Sequence, residues 1–356
     1  MKEPSHAFVC IMAGGSGERF WPMSRQRKPK HLLKFFSDRT LVEETVRRLD
    51  GVVPRENVFV LTNVAQLEGT RAALASLLPP EQIVAEPMKR DTAAAAALAT
   101  GLVRARDPAG IVALLPADAY IRDVATFAKQ LRQGLTRASQ TKALLTFAIK
   151  PSHAATGFGY LKLDEDEIAG TGGFRKVLKF VEKPDPATAA RYVASGNYAW
   201  NAGMFVWSVA SFLAEAERHT PKLAEFIQEF PAGDPTPYLA ARFLTLMPKV
   251  SVDYAILEKA ASVETLLAEF DWDDVGVWTA LPTYLPQDKM GNATRGQVVT
   301  SGGAANNIVL SNGRVIALVG VTDLVVVETP DAVLVCHRSA VDEIKKLMPQ
   351  LPKDVL

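Results

Sequence analysis

Ala13-Gly14-Gly15-Ser16-Gly17-Glu18-Arg19-Phe20-Trp21-Pro22-Met23-Ser24-Arg25-Gln26-Arg27-Lys28-Pro29-Lys30 follows an apolar run, Ala7 to Ala13, that reads as a buried first strand. Three glycines within four residues let backbone N–H groups turn toward a ligand with no Cβ in the way. Arg19 and Lys30 bracket that turn with fixed positive charge. Phosphate oxygens need both features, because close donors replace their lost water and cations offset their charge. The stretch Ala13, Gly14, Gly15, Ser16, Gly17, Glu18 is therefore expected to cradle the phosphates of a nucleotide.

Two better-known phosphate loops are excluded. A P-loop requires Gly-x4-Gly-Lys-Ser/Thr, and no Lys-Ser or Lys-Thr follows these glycines. The dinucleotide fingerprint fails because Phe20 stands where a third glycine should let a helix pack closely on the strand, and Trp21-Pro22 opposes immediate helix formation. A tight turn after a strand is the plain alternative for any glycine cluster. Arg19, Trp21-Pro22 and Pro29-Lys30 together weigh against it.

Outward from the loop, Ala7–Ala13, Asn57–Thr62, Gln82–Ala85, Ile111–Leu115 and Ala143–Ile149 alternate with helical patterns, the signature of a parallel sheet covered on both faces. Thr40 with Glu43 forms a capping box, and Asp91-Thr92 caps an alanine-rich helix reaching about Arg106. Such a sheet binds ligands beyond the carboxyl ends of its strands, where the glycine loop, Glu86-Pro87 and Pro116-Ala117-Asp118 all fall. Residues 150–290 are mixed and are expected to carry a second substrate. After Asn292 short β runs with Gly and Asn turns read as a separate small β unit, either stacked solenoid coils or a small sandwich, closed by a helix near Ala340–Met348.

Composition sets the bounds. The chain has 356 residues, 48% of them hydrophobic, which suits one large catalytic domain with a small appendage. A net charge of +1 argues against broad nucleic-acid binding, so a polyanionic ligand must be held by a local cluster. Cys10 and Cys336 sit in apolar runs and read as core. With no leader pattern and no apolar stretch near twenty residues, the expectation is a cytoplasmic protein off the membrane.

Asp118 is delivered into the crevice by the buried strand before it, a good place for a magnesium ligand. A second carboxylate is sought in Phe270-Asp271-Trp272-Asp273-Asp274-Val275-Gly276-Val277-Trp278, where Asp274 is preferred and Asp271 and Asp273 read as helix caps. Two Asp residues suffice, because Mg²⁺ fills its octahedron with water and phosphate oxygens. In Phe180-Val181-Glu182-Lys183-Pro184 the acid could accept from sugar hydroxyls while Lys183 meets a phosphate, although surface Glu-Lys pairs are common. Thr156-Gly157-Phe158-Gly159-Tyr160 and Trp200-Asn201-Ala202-Gly203-Met204 add glycine-hinged turns. Ser251 to Lys259 reads as a capped helix explained by packing. No Ser-His-Asp or Cys-His constellation is apparent, so catalysis is expected to rest on positioning and on cationic stabilisation of phosphate charge.

The loop with Pro29-Lys30, Phe180-Val-Glu-Lys-Pro, Trp200-Asn-Ala-Gly-Met and Trp272-Asp-Asp-Val-Gly-Val-Trp resemble the mannose-1-phosphate guanylyltransferases, in the family's order and over nearly the whole chain, with Thr329-Pro330-Asp331-Ala332 as a further likeness. The resemblance implies a nucleotidyltransferase domain of the glycosyltransferase-A type, Rossmann-like and α/β, over residues 1–290, then a short left-handed β-helix over 291–356. It implies that GTP and α-D-mannose 1-phosphate give GDP-mannose and pyrophosphate. By the same resemblance Gly14 to Arg19 would hold the triphosphate, Lys30 would neutralise phosphate at the reacting centre, and Asp118 and Asp274 would hold Mg²⁺. Gly157, Glu182 and Asn201 would contact mannose, and Lys183 would hold the attacking sugar phosphate. Glu86 is the candidate for reading guanine, since a carboxylate can accept from N1–H and N2–H₂.

The chain departs from the family at Arg90-Asp91-Thr92-Ala93-Ala94, where Arg-Asn-Thr-Ala-Pro is usual, and at Asp118-Ala119, where Asp-His is usual. Neither removes a proposed metal ligand. A single activity without an isomerase domain is expected, and a homodimer. Two rivals stay open: a nucleotidyltransferase for another base or sugar, and a non-catalytic nucleotide-sugar sensor, which would be expected to lose Asp118, Lys30 or Lys183.

Overall fold

The computed structural model describes residues 6–356. Short apolar runs become β1 (Ala7–Met12), β2 (Val58–Asn63), β3 (Ile83–Glu86), β4 (Ile111–Pro116) and β5 (Leu144–Ile149). Four strands join them: β6 (Tyr160–Glu167), β7 (Phe174–Val181), β8 (Tyr198–Ser208) and β9 (Val263–Leu267). All nine share one sheet in the order β3-β2-β1-β4-β8-β5-β9-β7-β6.

The first four are parallel neighbours, as expected, but the sheet as a whole is mixed. β8 runs antiparallel between β4 and β5, so β5 does not pair with β4. The reason lies in β8 itself. Phe205 and Trp207 pack into the core on one face of the sheet, and Ala202, Met204 and Val206 into the core on the other. A strand apolar on both sides is stable only inside a sheet covered on both faces. The helix Thr92–Arg106, capped by Asp91, lies on the first of these faces with Ala93 to Ala97 all buried. The capping box at Thr40 and Glu43 also forms.

The remaining strands are β10 (Ala293–Arg295), β11 (Val298–Ser301), β12 (Ile308–Leu310), β13 (Ile316–Val319), β14 (Leu324–Glu328) and β15 (Val333–His337). β10, β12 and β14 stack in parallel, β11 pairs β13 in parallel, and β15 closes antiparallel on β14. Stacked parallel coils decide for a β-helix over a sandwich. An asparagine ladder fixes their register: buried Asn307 donates from Nδ2 to Asn292 Oδ1 at 2.8 Å, and its own Oδ1 accepts from the Leu324 amide at 2.9 Å. Buried side-chain amides thereby satisfy turn backbone that water cannot reach.

One face of this unit bears directly on the loop. Ile308, Leu310, Val325, Val327 and Leu334 share a core with Phe20, Trp21 and Trp278. The Trp278 indole donates to the Trp21 carbonyl at 3.3 Å, and the Trp21 indole to the Val355 carbonyl at 2.8 Å. The turn after the glycines therefore rests on the β-helix.

Candidate active site

The glycine loop leaves β1 with its carbonyls tied down. Thr62 Oγ1 donates to the Ala13 carbonyl at 3.0 Å, Asn63 Nδ2 to that of Gly14 at 3.4 Å, and Gln66 Nε2 to that of Gly15 at 3.5 Å. Among the described residues, the amides of Gly14, Gly15, Ser16 and Gly17 donate to no protein acceptor. Donors without partners at the mouth of a crevice suit an anion. Gly17 has φ 63°, and a Cβ there would overlap the Lys30 Cβ, so the loop requires glycine both for its backbone and for its contact with Lys30.

Lys30 is the centre of the site. Its side chain is only 7% exposed, and its ammonium donates to Asp118 Oδ2 at 2.9 Å and to the backbone carbonyl of Asp274. Arg19 is exposed and holds the Gly276 carbonyl at 3.4 Å, with Asp342 of the C-terminal part 3.9 Å from its Nε. Lys30, Asp118, Asp274 and the glycine loop, far apart in sequence, are thus brought to one place.

A two-residue antiparallel bridge makes this possible. Tyr120 and Asp273 exchange backbone hydrogen bonds of 2.8 and 3.1 Å, aligning the loop after β4 with the loop after β9. Asp271 and Asp273 are both structural, although neither is the helix cap expected. Asp271 accepts from the Arg122 and Asp123 amides and from Arg122 Nε, while Asp273 accepts from the Val275 amide and the Tyr284 hydroxyl. Burial pushes the Asp274 carboxyl above the usual range, opposed by Lys30 and reinforced by the charges of Asp273 and Asp118. A carboxylate so crowded gains from a cation. No group of three or more His, Cys, Asp or Glu among the described residues could hold a metal. The pair Asp118 and Asp274 nonetheless fits Mg²⁺, a hard ion that needs one or two carboxylates and takes its other oxygens from water and phosphate.

Glu86 ends β3 beside the loop. It is 6% exposed, its Oε1 has no partner, and a Cβ on Gly14 would lie 3.9 Å from its Oε2. Burial pushes its carboxyl up to about 8. An unpaired buried acid is costly unless a ligand supplies donors. Lys89, which the sequence reading passed over, donates to Ser16 Oγ at 3.3 Å and so brings a further cation to the loop.

Across the crevice, β7 stops at Val181, leaving Glu182 and Lys183 beyond its end. Their side chains pair at 2.8 Å, and donating to the Glu182 carboxylate holds the Lys183 ammonium above its ordinary range. Lys183 has φ 46°, and its amide donates to the Phe158 carbonyl at 3.2 Å. Asn201 lies inside β8 and not in a turn; Gly203, with φ 67°, forms an irregularity where the β5–β8 register shifts. Asn201 Oδ1 accepts from Thr146 Oγ1 at 2.7 Å and from the Gly203 amide at 3.3 Å, and Nδ2 donates to Asp253 Oδ1 at 3.2 Å. Gly157 is exposed, with open space where a Cβ would stand. Gly159 is the confined glycine of that loop: a Cβ there would lie 2.6 Å from Glu182 Oε2.

Asp253 was missed. Ser251–Lys259 is not an ordinary capped helix but a π-helical turn over Asp253–Leu257 that places this acid, 8% exposed, against Asn201. Its one signal in the sequence is a carboxylate among Val252, Ala255, Ile256 and Leu257, all of them core. Asp91 accepts from the Thr92 amide as a cap, and its charge also bears on Lys183.

Residues 9–289 match the family described as Nucleotidyl transferase, and residues 298–351 match the MannoseP isomerase/GMP-like beta-helix domain. The chain is 35% identical to the Xanthan biosynthesis protein XanB of Xanthomonas campestris pv. campestris (strain B100), over 98% of this chain and 73% of that protein. It is 34% identical to a mannose-1-phosphate guanylyltransferase of Escherichia coli (strain K12), over 98% and 74% respectively. A crystal structure from Thermus thermophilus, described as mannose-1-phosphate geranyltransferase, superposes with a TM-score of 0.86 at 32% identity, covering 97% of this chain and 99% of that one. No helix among the described residues is long and apolar enough to cross a membrane.

Proposed function

The chain belongs to the nucleotidyl transferase family, as a mannose-1-phosphate guanylyltransferase that carries GMP from GTP to mannose 1-phosphate, and we propose that its crevice does so by in-line attack of the sugar phosphate on the α-phosphorus. The observation that carries this reading is the buried Lys30 ammonium, clamped between Asp118 and Asp274 beside a loop of unpaired amides. Only a multiply charged ligand with oxygens at close range uses all of these groups at once.

In this reading Ala13 to Glu18 and Arg19 hold the triphosphate, and Glu86 accepts from guanine N1–H and N2–H₂. Gly157, Glu182 and Asn201 face the mannose ring, while Lys183 leaves Glu182 to meet the sugar phosphate. A phosphate oxygen of mannose 1-phosphate forms the new bond to the α-phosphorus, the bond from that phosphorus to the bridging oxygen breaks, and pyrophosphate leaves with the electron pair. No protein nucleophile is needed. Lys30 sits where negative charge accumulates and stabilises it without reorganising. Asp118 and Asp274 would hold Mg²⁺, which would supply further neutralisation of the phosphate oxygens when bound.

We divide the chain into a catalytic part, 1–290, and a β-helix part, 291–356. A cytoplasmic homodimer completes the reading, with Val333 and Val335, exposed on one face of the closing strand β15, supporting association. Asp118→Ala tests the catalytic assignment. Turnover should fall by about a hundredfold or more, as for loss of one preorganised electrostatic group, with far-ultraviolet circular dichroism unchanged. Retained turnover would remove Asp118 from the metal role.

A further inference from the structure

The sugar-phosphate side of the crevice has a charge problem. Lys183 is its only proposed phosphate-binding cation, yet Glu182 pairs with it at 2.8 Å, and the charges of Asp253 and Asp91 also act on it. Three carboxylates against one ammonium make a poor receptor for a dianion. If all three were ionised, an arriving phosphate would meet net negative charge at the group meant to hold it.

Asp253 has the geometry to relieve this. It comes from the π-helical turn, is 8% exposed, and accepts from Asn201 Nδ2 at 3.2 Å. Thr146 and the Gly203 amide occupy the Asn201 carbonyl oxygen. Asn201 is thereby locked in one amide orientation from both ends, and Asp253 is the only acid in that lock. The groups acting on Asp253 are the Glu182 carboxylate and the Lys183 ammonium from beyond β7, with the Ser251 side chain of its own segment opposing the rise of its pKa. The Glu182 charge also acts on Glu258, on the outer side of the same turn.

We propose that Asp253 is the positioning residue of the sugar-phosphate half-site, a buried acid that fixes the Asn201 amide and, when it takes up a proton, leaves Lys183 free to exchange Glu182 for phosphate. Burial first, and then the Glu182 charge, push its carboxyl up to about 7, so the neutral form is within reach at ordinary pH. Arrival of a dianion beside Lys183 favours that form further, and binding of the sugar phosphate takes up a proton. Affinity for the sugar phosphate then falls as pH rises through 7, apart from any titration of the sugar phosphate itself.

The inference rests on the assignment of this half-site to mannose 1-phosphate, and steady-state kinetics from pH 6 to 8 separate the two. Asp253→Asn is a neutral isostere that keeps an acceptor for Asn201 and cannot titrate. From pH 6 to pH 8 the ratio of wild-type to Asp253→Asn KM for mannose 1-phosphate should rise about tenfold, as one group titrating near 7 requires, while the KM for GTP keeps a constant ratio. Titration of the substrate cancels in this ratio. Asp253→Ala should raise the KM for mannose 1-phosphate at every pH, with kcat less affected, because Asn201 loses its clamp. Parallel pH profiles for wild type and Asp253→Asn would overturn the proposal, leaving a structural role. If the wild-type enzyme turns over no mannose 1-phosphate at any pH, it is the half-site assignment that fails.

Discussion

Glu86 shows how one buried group can choose a base. Its carboxyl, up to about 8 in the free protein, is largely protonated at pH 7. Guanine offers two donors, N1–H and N2–H₂, that need the ionised form, so GTP binding should release a proton and tighten as pH rises from 6 toward 8. Adenine offers an acceptor at N1 and gains nothing from that ionisation. Hydrogen bonds to charged groups contribute roughly 1.5–3 kcal/mol, so Glu86→Gln should erode the preference for GTP over ATP by about tenfold or more and flatten the pH dependence of GTP affinity. Calorimetric titration in buffers of different ionisation enthalpy measures both. An unchanged base preference would remove Glu86 from this role.

The elements hold these residues through tight backbone approaches. Gly159 lies under Glu182, and a methyl group there would stand 2.6 Å from Oε2 and 3.2 Å from the Phe180 ring. Gly159→Ala should therefore displace Glu182 and raise the KM for mannose 1-phosphate several-fold while the KM for GTP holds; equal effects on both substrates would contradict this. Gly157→Ala, placed in open space, should leave the melting temperature unchanged.

Much of this was legible in the chain. Asp118 follows a buried strand and Lys30 flanks the glycine turn, so local pattern made both candidates, while their roles came from the family resemblance. The insertion of β8 between β4 and β5 was not legible, because strand order depends on which faces are covered after collapse. Asp253 escaped for a related reason: its neighbours Val252, Ala255 and Ile256 read as one helix face, and only the π-helical turn brings the acid to Asn201. Gly159 was overlooked in favour of Gly157 because two glycines of one loop differ only in what packs above them.

At the scale of the whole molecule, the β-helix is part of the site's foundation. Its strands β12, β14 and β15 share a core with Phe20 and Trp278, and Phe20 closes the turn that carries Glu18 and Arg19. The full chain should unfold in one cooperative transition. A 1–290 fragment, with that core laid open, should lose GTP binding, and a soluble fragment that binds GTP like the full chain would contradict the coupling. On this reading a single crevice joins a guanine nucleotide to a sugar phosphate. The most direct test of it gives the purified protein Mg²⁺, mannose 1-phosphate and each nucleoside triphosphate in turn, and scores pyrophosphate release. Release is expected with GTP, dependent on mannose 1-phosphate and accompanied by GDP-mannose; no release with GTP would contradict the claim.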